Sequence, residues 1–339
     1  MSENTTDILD SEERAPSKKK KIVFWTLGAF LVVLLIAGAL VWAGLSKLRD
    51  FETIESAFPE ESLRPEVSEP AEGEKDAPVN ILLLGSDSRA DTSTPVLNDL
   101  GNRADTIMVA HIPSDRSGVQ IMSIMRDSWV EISGHGHAKI NAAMSYGGVP
   151  LMVQTVEGLI DQRIDHVAVI DFNGFENMTD SLGGVEVNNP RAFSVGGLQF
   201  EQGPISLNGE EALEFVRSRN FSDGDYTRVE NQQLFMKSMA GEILSRDTMT
   251  NPGKLNDLVE ATTPYVALDG DFGATTMIGL GSSMSSLRAS DITSFTLPTA
   301  GIGTEGGGQS VVYIDWDELE NVQERFKNDD LADYQPDPR

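Results

Sequence analysis

Three arginines lie close together in the segment Leu207–Gln233, which reads LNGEEALEFVRSRNFSDGDYTRVENQQ. They are Arg217, Arg219 and Arg228, in a chain whose formal net charge is −27. A guanidinium group donates paired hydrogen bonds to phosphate oxygens, so this spacing indicates a site for a phosphorylated anion. The alternative is a set of surface ion pairs with acidic residues of the same segment, and charge alone does not choose between the two. Those acidic residues are Glu210, Glu211, Asp223 and Asp225.

The elements predicted around these arginines place them on shared faces. Glu210–Val216 is predicted to be a short helix, with acidic side chains in its first turn as the helix dipole prefers. The stretch Arg217–Arg219 is predicted to be extended, which puts its two guanidinium groups on one face. Asp225 can cap the next helix, in which Arg228 and Gln232 are four residues apart and face the same way. Backbone N–H groups in the first turn of that helix would meet the same anion.

A second set of polar residues lies at the ends of predicted strands. The apolar run Val79–Leu84 is typical of a strand buried on both faces. Strands are also predicted at Thr106–Ile112 and Val119–Met125, and open α/β sheets bind ligands at strand ends. Taken singly, each of these polar residues is more simply read as a cap or turn. They are Asp87 and Arg89 after the first strand, Asp105 before the second, and Arg126 and Asp127 after the third.

Other elements follow the same periodicities. The pair His135 and His137 lies in a glycine-rich turn, where solvent exposure is a simpler reading than metal binding. Gly306–Gly308 has no lysine and no strand–loop–helix context, so it is read as a turn and not a phosphate loop. Further strands are predicted at Trp129–Ile132, His166–Ile170, Val185–Val187, Asp291–Leu297 and Val311–Trp316. Helices are predicted around Leu151–Ile160, Asp171–Leu182, Pro252–Thr263, Thr275–Ser286 and before Phe326.

Composition excludes some classes of function. The 339 residues include 53 acidic and 26 basic side chains, so the chain's field repels nucleic acid. There is no cysteine, which rules out disulfides, thiolate metal sites and a cysteine nucleophile. The length allows one large domain or two smaller ones.

The N-terminal part indicates a membrane anchor. Residues 1–21 are polar and end in four lysines, and we expect them to form a cytoplasmic tail. Ile22–Leu45 has no charged residue and is long enough to cross a bilayer as a helix. A signal peptide is the alternative, but its apolar core is normally about 7–15 residues. Residues 46–78 are rich in Glu and Pro and are predicted to be an extended linker. An extracellular catalytic domain is then predicted over 79–327, and a disordered tail over 328–339.

Six sequence blocks, in order, resemble the LytR–CpsA–Psr (LCP) family. Each block is short and weak by itself, whereas their common order is specific. The resemblance covers about residues 79–240. The blocks are Leu82–Arg89, Arg103–Met108, Ser123–Ser128, Lys139–Ala143, Leu207–Leu213 running into Arg217–Arg219, and Asp225–Arg228 with Asn231–Gln233.

The resemblance implies a three-layer α/β/α fold with a mixed central sheet, preceded by one transmembrane helix. It implies a cell-membrane, single-pass phosphotransferase that moves a glycopolymer from a polyprenyl-pyrophosphate carrier to peptidoglycan, leaving a phosphodiester. Candidate polymers include teichoic acid and arabinogalactan.

It also implies roles for particular residues. Asp87 and Asp105 are implied as ligands of Mg²⁺, with Mn²⁺ as an alternative, and Asp225 as a general base. Asn231 departs from the family pattern, which often has arginine there, so one pyrophosphate contact is expected to be absent or supplied elsewhere. The implied pyrophosphate shell is Arg89, Arg126, Arg217, Arg219, Arg228 and Gln232.

Two other functions stay open at the level of sequence. A hydrolase would attack the same pyrophosphate with water in place of a sugar hydroxyl. A membrane-tethered regulator would use the domain without catalysis.

Overall fold

The computed structural model describes residues 51–71, 73–86, 104–219, 225–243, 248, 251–284 and 286–336. The strands are β1 (Glu52–Ile54), β2 (Val79–Ser86), β3 (Ala104–Ile112), β4 (Val119–Ile124), β5 (Trp129–Ile132), β6 (Gly136–Lys139), β7 (His166–Ile170), β8 (Val185–Asn189), β9 (Phe193–Val195), β10 (Leu198–Phe200), β11 (Gly203–Leu207), β12 (Val266–Asp269), β13 (Ile292–Thr296), β14 (Thr299–Glu305) and β15 (Gln309–Ile314). The helices are α1 (Ala142–Ile160), α2 (Phe172–Ser181), α3 (Gly209–Arg217), α4 (Asp225–Ile243), α5 (Pro252–Thr262), α6 (Ala274–Ser283) and α7 (Trp316–Lys327).

A mixed seven-stranded sheet forms the centre, in the order β1-β12-β7-β2-β3-β4-β13. Strands β2 and β7 pair in parallel, as do β4 and β13, whereas β3 runs antiparallel to both β2 and β4. The ends of β2, β4, β7 and β13 therefore meet the start of β3 at one edge of the sheet. All nine residues of β3 are buried, which is what a strand covered on both faces requires.

Alternation along the strands divides the core into two layers. On β2, Ile81 and Leu83 pack on the side of α2–α6, while Leu82 and Leu84 pack on the side of α1 and α7. The period of two sends successive side chains to opposite faces, and each face is then covered by helices. The predicted mixed α/β architecture is confirmed.

The predicted linker differs from the structure. Residues 46–78 were expected to form an extended tether, but β1 joins the central sheet parallel to β12. Phe51 and Ile54 are buried, and Arg64 hydrogen-bonds to the buried Glu157 of α1. Glu and Pro dominate the composition, but this segment's few apolar and basic residues find partners in the domain, and a composition average does not register them.

The predicted disordered tail also differs. Asp329 lies 3.0 Å from the buried His111, measured from Oδ1 to Nε2, and Leu331 and Tyr334 are buried in the core. A 3-10 turn, Leu331–Asp333, holds these apolar side chains against the domain. Two buried side chains and one side-chain hydrogen bond to the core are enough to order a short terminal segment, even an acidic one that contains proline.

Among the described residues no helix is long and apolar enough to cross a membrane. The predicted cytoplasmic tail and transmembrane helix at 1–45 lie outside the described residues.

Candidate active site

The register of two strands brings Asp105 opposite Arg126. In the antiparallel ladder, Ile107 of β3 pairs with Ile124 of β4. Asp105 is two residues before Ile107 and Arg126 is two residues after Ile124, so the two lie opposite each other. Arg126 Nη1 donates to Asp105 Oδ1 over 2.6 Å. Both side chains are buried, which strengthens a charge-assisted hydrogen bond. The structure thus unites two of the predicted site residues.

Backbone hydrogen bonds hold the segment that carries Arg126. Asn141 N donates to Arg126 O over 3.2 Å, and Val312 N donates to Asp127 O over 2.9 Å. Asp127 also lies 2.9 Å from Lys139 Nζ and 3.6 Å from Arg126 Nε. The β5–β6 hairpin and the β14–β15 hairpin therefore fix the backbone that aims Arg126 at Asp105.

The same edge of the sheet receives the ends of β2 and β7. Ser86 pairs with Ala104 across a register shift, so the chain leaves β2 beside Asp105. Asp171, at the end of β7, is fully buried and its Oδ1 accepts from Gly174 N over 2.8 Å. That contact caps α2, the helix that the sequence predicted from Asp171 onward. The predicted residues Asp87 and Arg89 lie outside the described residues.

Helix α4 carries Arg228 and Gln232 as predicted, on one face. Arg228 is only 1% exposed, and Gln232 is also buried. Val229 packs with Met125 in a small apolar cluster, so the neighbouring Arg228 and Arg126 are brought to the same region. A guanidinium so deep in the protein is stable only beside acceptors or anions.

Side-chain hydrogen bonds hold α4 against the sheet. Gln233 Nε2 donates to Ser123 Oγ over 3.1 Å and to Thr296 Oγ1 over 3.2 Å. Those hydroxyls belong to β4 and β13, whose ends lie at the site edge. Sequence reasoning identified Gln233 as part of a family block but did not assign it this positioning role.

Helix α3 presents Arg217 at its last residue. Asn208 and Glu211 form a capping box at its start, which explains the Leu207–Glu211 block as a helix-start signal. Arg217 lies over the Phe172 ring at 5.5 Å and is 3.2 Å from Glu214 Oε1. Because Phe172 follows β7, Arg217 faces the same sheet edge.

The predicted geometry of the two neighbouring arginines is wrong in one respect. Arg217 and Arg219 were expected to share a face of an extended segment, but Arg217 ends the helix and is half-buried. Ser218 between them is buried and extended, and Arg219 is exposed. The helix runs one residue further than predicted because Arg217, a basic residue in the last turn, suits the negative end of the dipole.

Asn231 has a structural role. The side chain is buried, and its Nδ2 donates to Phe215 O over 3.2 Å, which ties α4 to the last turn of α3. The same carbonyl also accepts from Ser218 N at the end of α3 over 3.3 Å, so the amide adds a second donor at this helix end. The amide thus helps to hold the helix that carries Arg228 against the helix that carries Arg217.

Only part of the predicted site for a hard divalent cation lies among the described residues, and that part is compatible with such an ion. Asp105 offers buried carboxylate oxygens, the ligand type that Mg²⁺ prefers. Across the described ranges no group of three or more His, Asp or Glu side chains is suited to hold a metal. The second predicted ligand, Asp87, follows Ser86 in the chain and lies outside those ranges. Asp225 begins α4, and its side chain is not among those described.

Comparison with known proteins shows the family. The model of the LytR_cpsA_psr family matches residues 49–328. The cell wall biosynthesis protein LcpA of Corynebacterium glutamicum is 32% identical over 77% of this chain, and the match spans 60% of LcpA. The polyisoprenyl-teichoic acid–peptidoglycan teichoic acid transferase TagU of Oceanobacillus iheyensis is 36% identical over 74% of this chain and 78% of TagU.

Solved structures share the fold. B. subtilis TagV has a TM-score of 0.64 at 26% identity, over 77% of this chain and all of the TagV chain (100%). TagT bound to LIIa-WTA has a TM-score of 0.58 at 27% identity, over 78% of this chain and 99% of the TagT chain. The chain therefore belongs to the LytR–CpsA–Psr family of cell-wall glycopolymer transferases, and the resemblance drawn from six short blocks is confirmed.

Proposed function

We propose that this chain is a membrane-anchored phosphotransferase that moves a glycopolymer from a polyprenyl-pyrophosphate carrier to peptidoglycan. Ile22–Leu45 would anchor it with the N-terminus in the cytoplasm and the catalytic domain outside. The family, and relatives named as teichoic acid–peptidoglycan transferases, support this reaction class.

One observation carries the proposal: three guanidinium groups, two of them buried, gather at one sheet edge of a strongly acidic protein. Arg228 and Arg126 flank the packed pair Val229 and Met125, and Arg217 faces the same edge over Phe172. A pyrophosphate, with several negative oxygens, is the ligand that such a set recognises.

Gln232 supports the same reading. Its side chain is buried, and within the described part of the chain its Nε2 has no hydrogen-bond partner. Buried donors are nearly always paired in folded proteins, so an unused one close to a site is suited to a ligand oxygen. The side chain lies one helical turn after Arg228, on the same face.

The chemistry follows from charge. A hydroxyl oxygen of the acceptor sugar attacks the phosphorus nearest the glycopolymer and forms the new P–O bond. The bond from that phosphorus to the bridging oxygen breaks, and polyprenyl phosphate leaves with the electron pair. The arginines stabilise the negative charge on the phosphate oxygens as it shifts towards the leaving group.

The remaining roles fall to acidic residues. Asp225, at the start of α4, is proposed to take the proton of the attacking hydroxyl. Asp105 and Asp87 would hold Mg²⁺ or Mn²⁺, which when bound neutralises pyrophosphate charge. Arg126, hydrogen-bonded to Asp105, would link this metal position to the arginine set.

The test uses the full chain in detergent with a lipid-linked saccharide and peptidoglycan fragments. We expect conjugated saccharide and free polyprenyl phosphate as products. Arg228→Ala and the exposed Arg219→Ala should each lower kcat/KM by at least about a hundredfold, about 2.7 kcal/mol of transition-state stabilisation. Arg191→Ala is the matched control, because Arg191 is exposed and paired with Glu230 away from these residues.

Two results would contradict the proposal. Free phosphorylated saccharide without conjugate would identify a hydrolase. Full transfer by both Arg219→Ala and Arg228→Ala, with each protein folded, would show that these arginines do not act in catalysis. Thermal unfolding of each variant separates lost catalysis from lost folding.

A further inference from the structure

A cavity of about 640 Å³ lies on the side of the sheet covered by α1 and α7. Its walls are residues 62–65, strand β5, the C-terminal half of α1 and Trp316 at the start of α7. Ligand pockets of proteins typically have volumes of about 300–1,000 Å³. The arginine set described above takes no part in its lining.

The floor of the cavity is rigid and electrically balanced. Arg64 Nη2 donates to Glu157 Oε1 over 2.6 Å, and Ile164 N donates to the same oxygen over 2.9 Å. The Arg64 guanidinium also lies over the Phe58 ring at 4.4 Å. The segment 62–65 is therefore held firmly against the domain, and the paired charges leave the floor without a net charge.

Trp316 gives the cavity an exposed aromatic wall. The ring is 56% exposed, although large apolar side chains are usually covered. It is the first residue of α7, whose start is fixed by Asp315 accepting from Glu318 N over 3.2 Å. The backbone that carries the exposed ring is thus capped in a defined position.

The rim around Trp316 carries hydrogen-bonding groups. Glu131, Gln154 and Asp161 supply carboxylate and amide groups beside the indole. A sugar ring matches this combination, because its C–H face packs on an aromatic ring while its hydroxyl groups donate to carboxylates and amides.

The shape indicates a polymer. A second cavity of about 490 Å³ shares Pro65 and Asp161 with the first, so the two adjoin and follow one another along the segment 62–71. We name the two together the 62–71 groove, after the segment along its length. Its carboxylates include Glu66 and Glu69, which repel a polyanion.

We propose that the 62–71 groove binds an uncharged stretch of the N-acetylhexosamine strand of the acceptor polysaccharide. The choice of the acceptor as ligand rests on the proposed function. Glu131, on the rim, is four residues after Asp127, so at about 3.3 Å per residue it lies at most about 13 Å from the site edge. A strand held there is placed to present a later sugar to the arginine set.

Binding by the full chain in detergent tests the groove directly. The probe is a neutral N-acetylglucosamine tetrasaccharide, measured by calorimetry. We expect Trp316→Ala to weaken binding at least tenfold and Asp161→Asn to weaken it severalfold. Asparagine is chosen because residue 161 has a left-handed backbone, with φ 52°, which asparagine tolerates. Ile302→Ala is the matched control, because Ile302 is equally exposed but lies on β14, outside the groove.

Three outcomes would overturn the proposal. They are no binding of the tetrasaccharide to the wild-type chain, equal binding by Trp316→Ala, or stronger Trp316-dependent binding of polyglycerol phosphate or of a diamine. The polyglycerol phosphate result would assign the groove to an anionic polymer, and the diamine result to a cationic group.

Transfer kinetics separate this proposal from the proposed function. Trp316→Ala should raise KM for a polymeric acceptor and leave both kcat and the rate with a disaccharide acceptor unchanged. If the wild-type chain binds the tetrasaccharide through Trp316 but transfers nothing, the proposed function fails and the groove stands. If transfer to polymer is normal in Trp316→Ala, the groove proposal fails and the proposed function stands.

Discussion

The ion pair between Asp105 and Arg126 allows a sharp separation of stability from catalysis. The guanidinium and carboxylate atoms are 2.6 Å apart, and the two side chains are only 1% and 10% exposed. Arg126→Met keeps most of the side-chain volume but removes the guanidinium. The buried carboxylate of Asp105 then loses this positive partner. Breaking a buried pair from one side costs about 3–5 kcal/mol. At roughly 2–4 °C per kcal/mol for a domain of this size, the melting temperature should fall by about 6–20 °C.

The chain offers a matched control for this change. Arg191 and Glu230 are also 2.6 Å apart, but their side chains are 39% and 56% exposed. Water screens that pair, so Arg191→Met should cost roughly 0–1 kcal/mol. The two pairs have the same length and differ in burial, so the comparison isolates the effect of desolvation.

The double variant Asp105→Asn with Arg126→Met completes the experiment. With both charges removed, most of the lost stability should return, because a buried pair contributes little net stability over neutral groups of similar size. Activity should be lost both in Arg126→Met and in the double variant. The measurements are thermal unfolding followed by circular dichroism and the transfer assay. A cost below about 1 kcal/mol for Arg126→Met, or a double variant no more stable than the single one, would refute the reasoning.

Two further predictions concern the segments that were expected to be disordered. Burial raises the pKa of Asp329, but hydrogen bonds from His111 and Ser114 outweigh it and hold the pKa below its ordinary value. The stabilising effect of the Asp329 carboxylate is thus fully present above the unfolded pKa of about 4 and is lost as pH falls through the lower folded pKa. In a profile of melting temperature against pH, Asp329→Asn should therefore reduce the fall on the acid side. An unchanged profile would contradict this. Arg64→Met removes the positive partner of the buried Glu157, so it should lower the free energy of unfolding by about 3–5 kcal/mol and speed proteolysis within 61–71. Adding Glu157→Gln should restore most of the stability. Equal cleavage in all variants would contradict a stabilising role for the Arg64–Glu157 pair.

The main strands could be predicted because their signal is local. The run Val79–Leu84 is apolar at every position, and only a strand covered on both faces suits such a run in a short segment. Glycine and polar clusters marked the element ends, and the acidic residues Glu210 and Glu211 indicated the first turn of α3. Strands β1, β6, β9–β12 and β14 were missed. All but β14 have only three to five residues, too few to show a clear period, and β14 contains two glycines, which are depleted in strands.

The candidate site was predictable in its chemistry and less so in its geometry. Residue types and the order of the blocks indicated arginines and carboxylates for a pyrophosphate. The β3–β4 register, which sets Asp105 against Arg126, depends on hydrogen bonds between strands and cannot be read from either strand alone. The burial of Arg228 likewise depends on what α4 packs against.

The sequence by itself determined the family and most strands of the central sheet, and it predicted the kind of ligand, because periodicity and residue chemistry are properties of short segments. Only the tertiary structure decided which residues meet. It showed that Asn231 ties α4 to α3, that the Glu- and Pro-rich segment joins the sheet, and that this segment forms one wall of a groove with Trp316. Residues 64 and 157 are far apart in the chain, and only folding brings them within 2.6 Å.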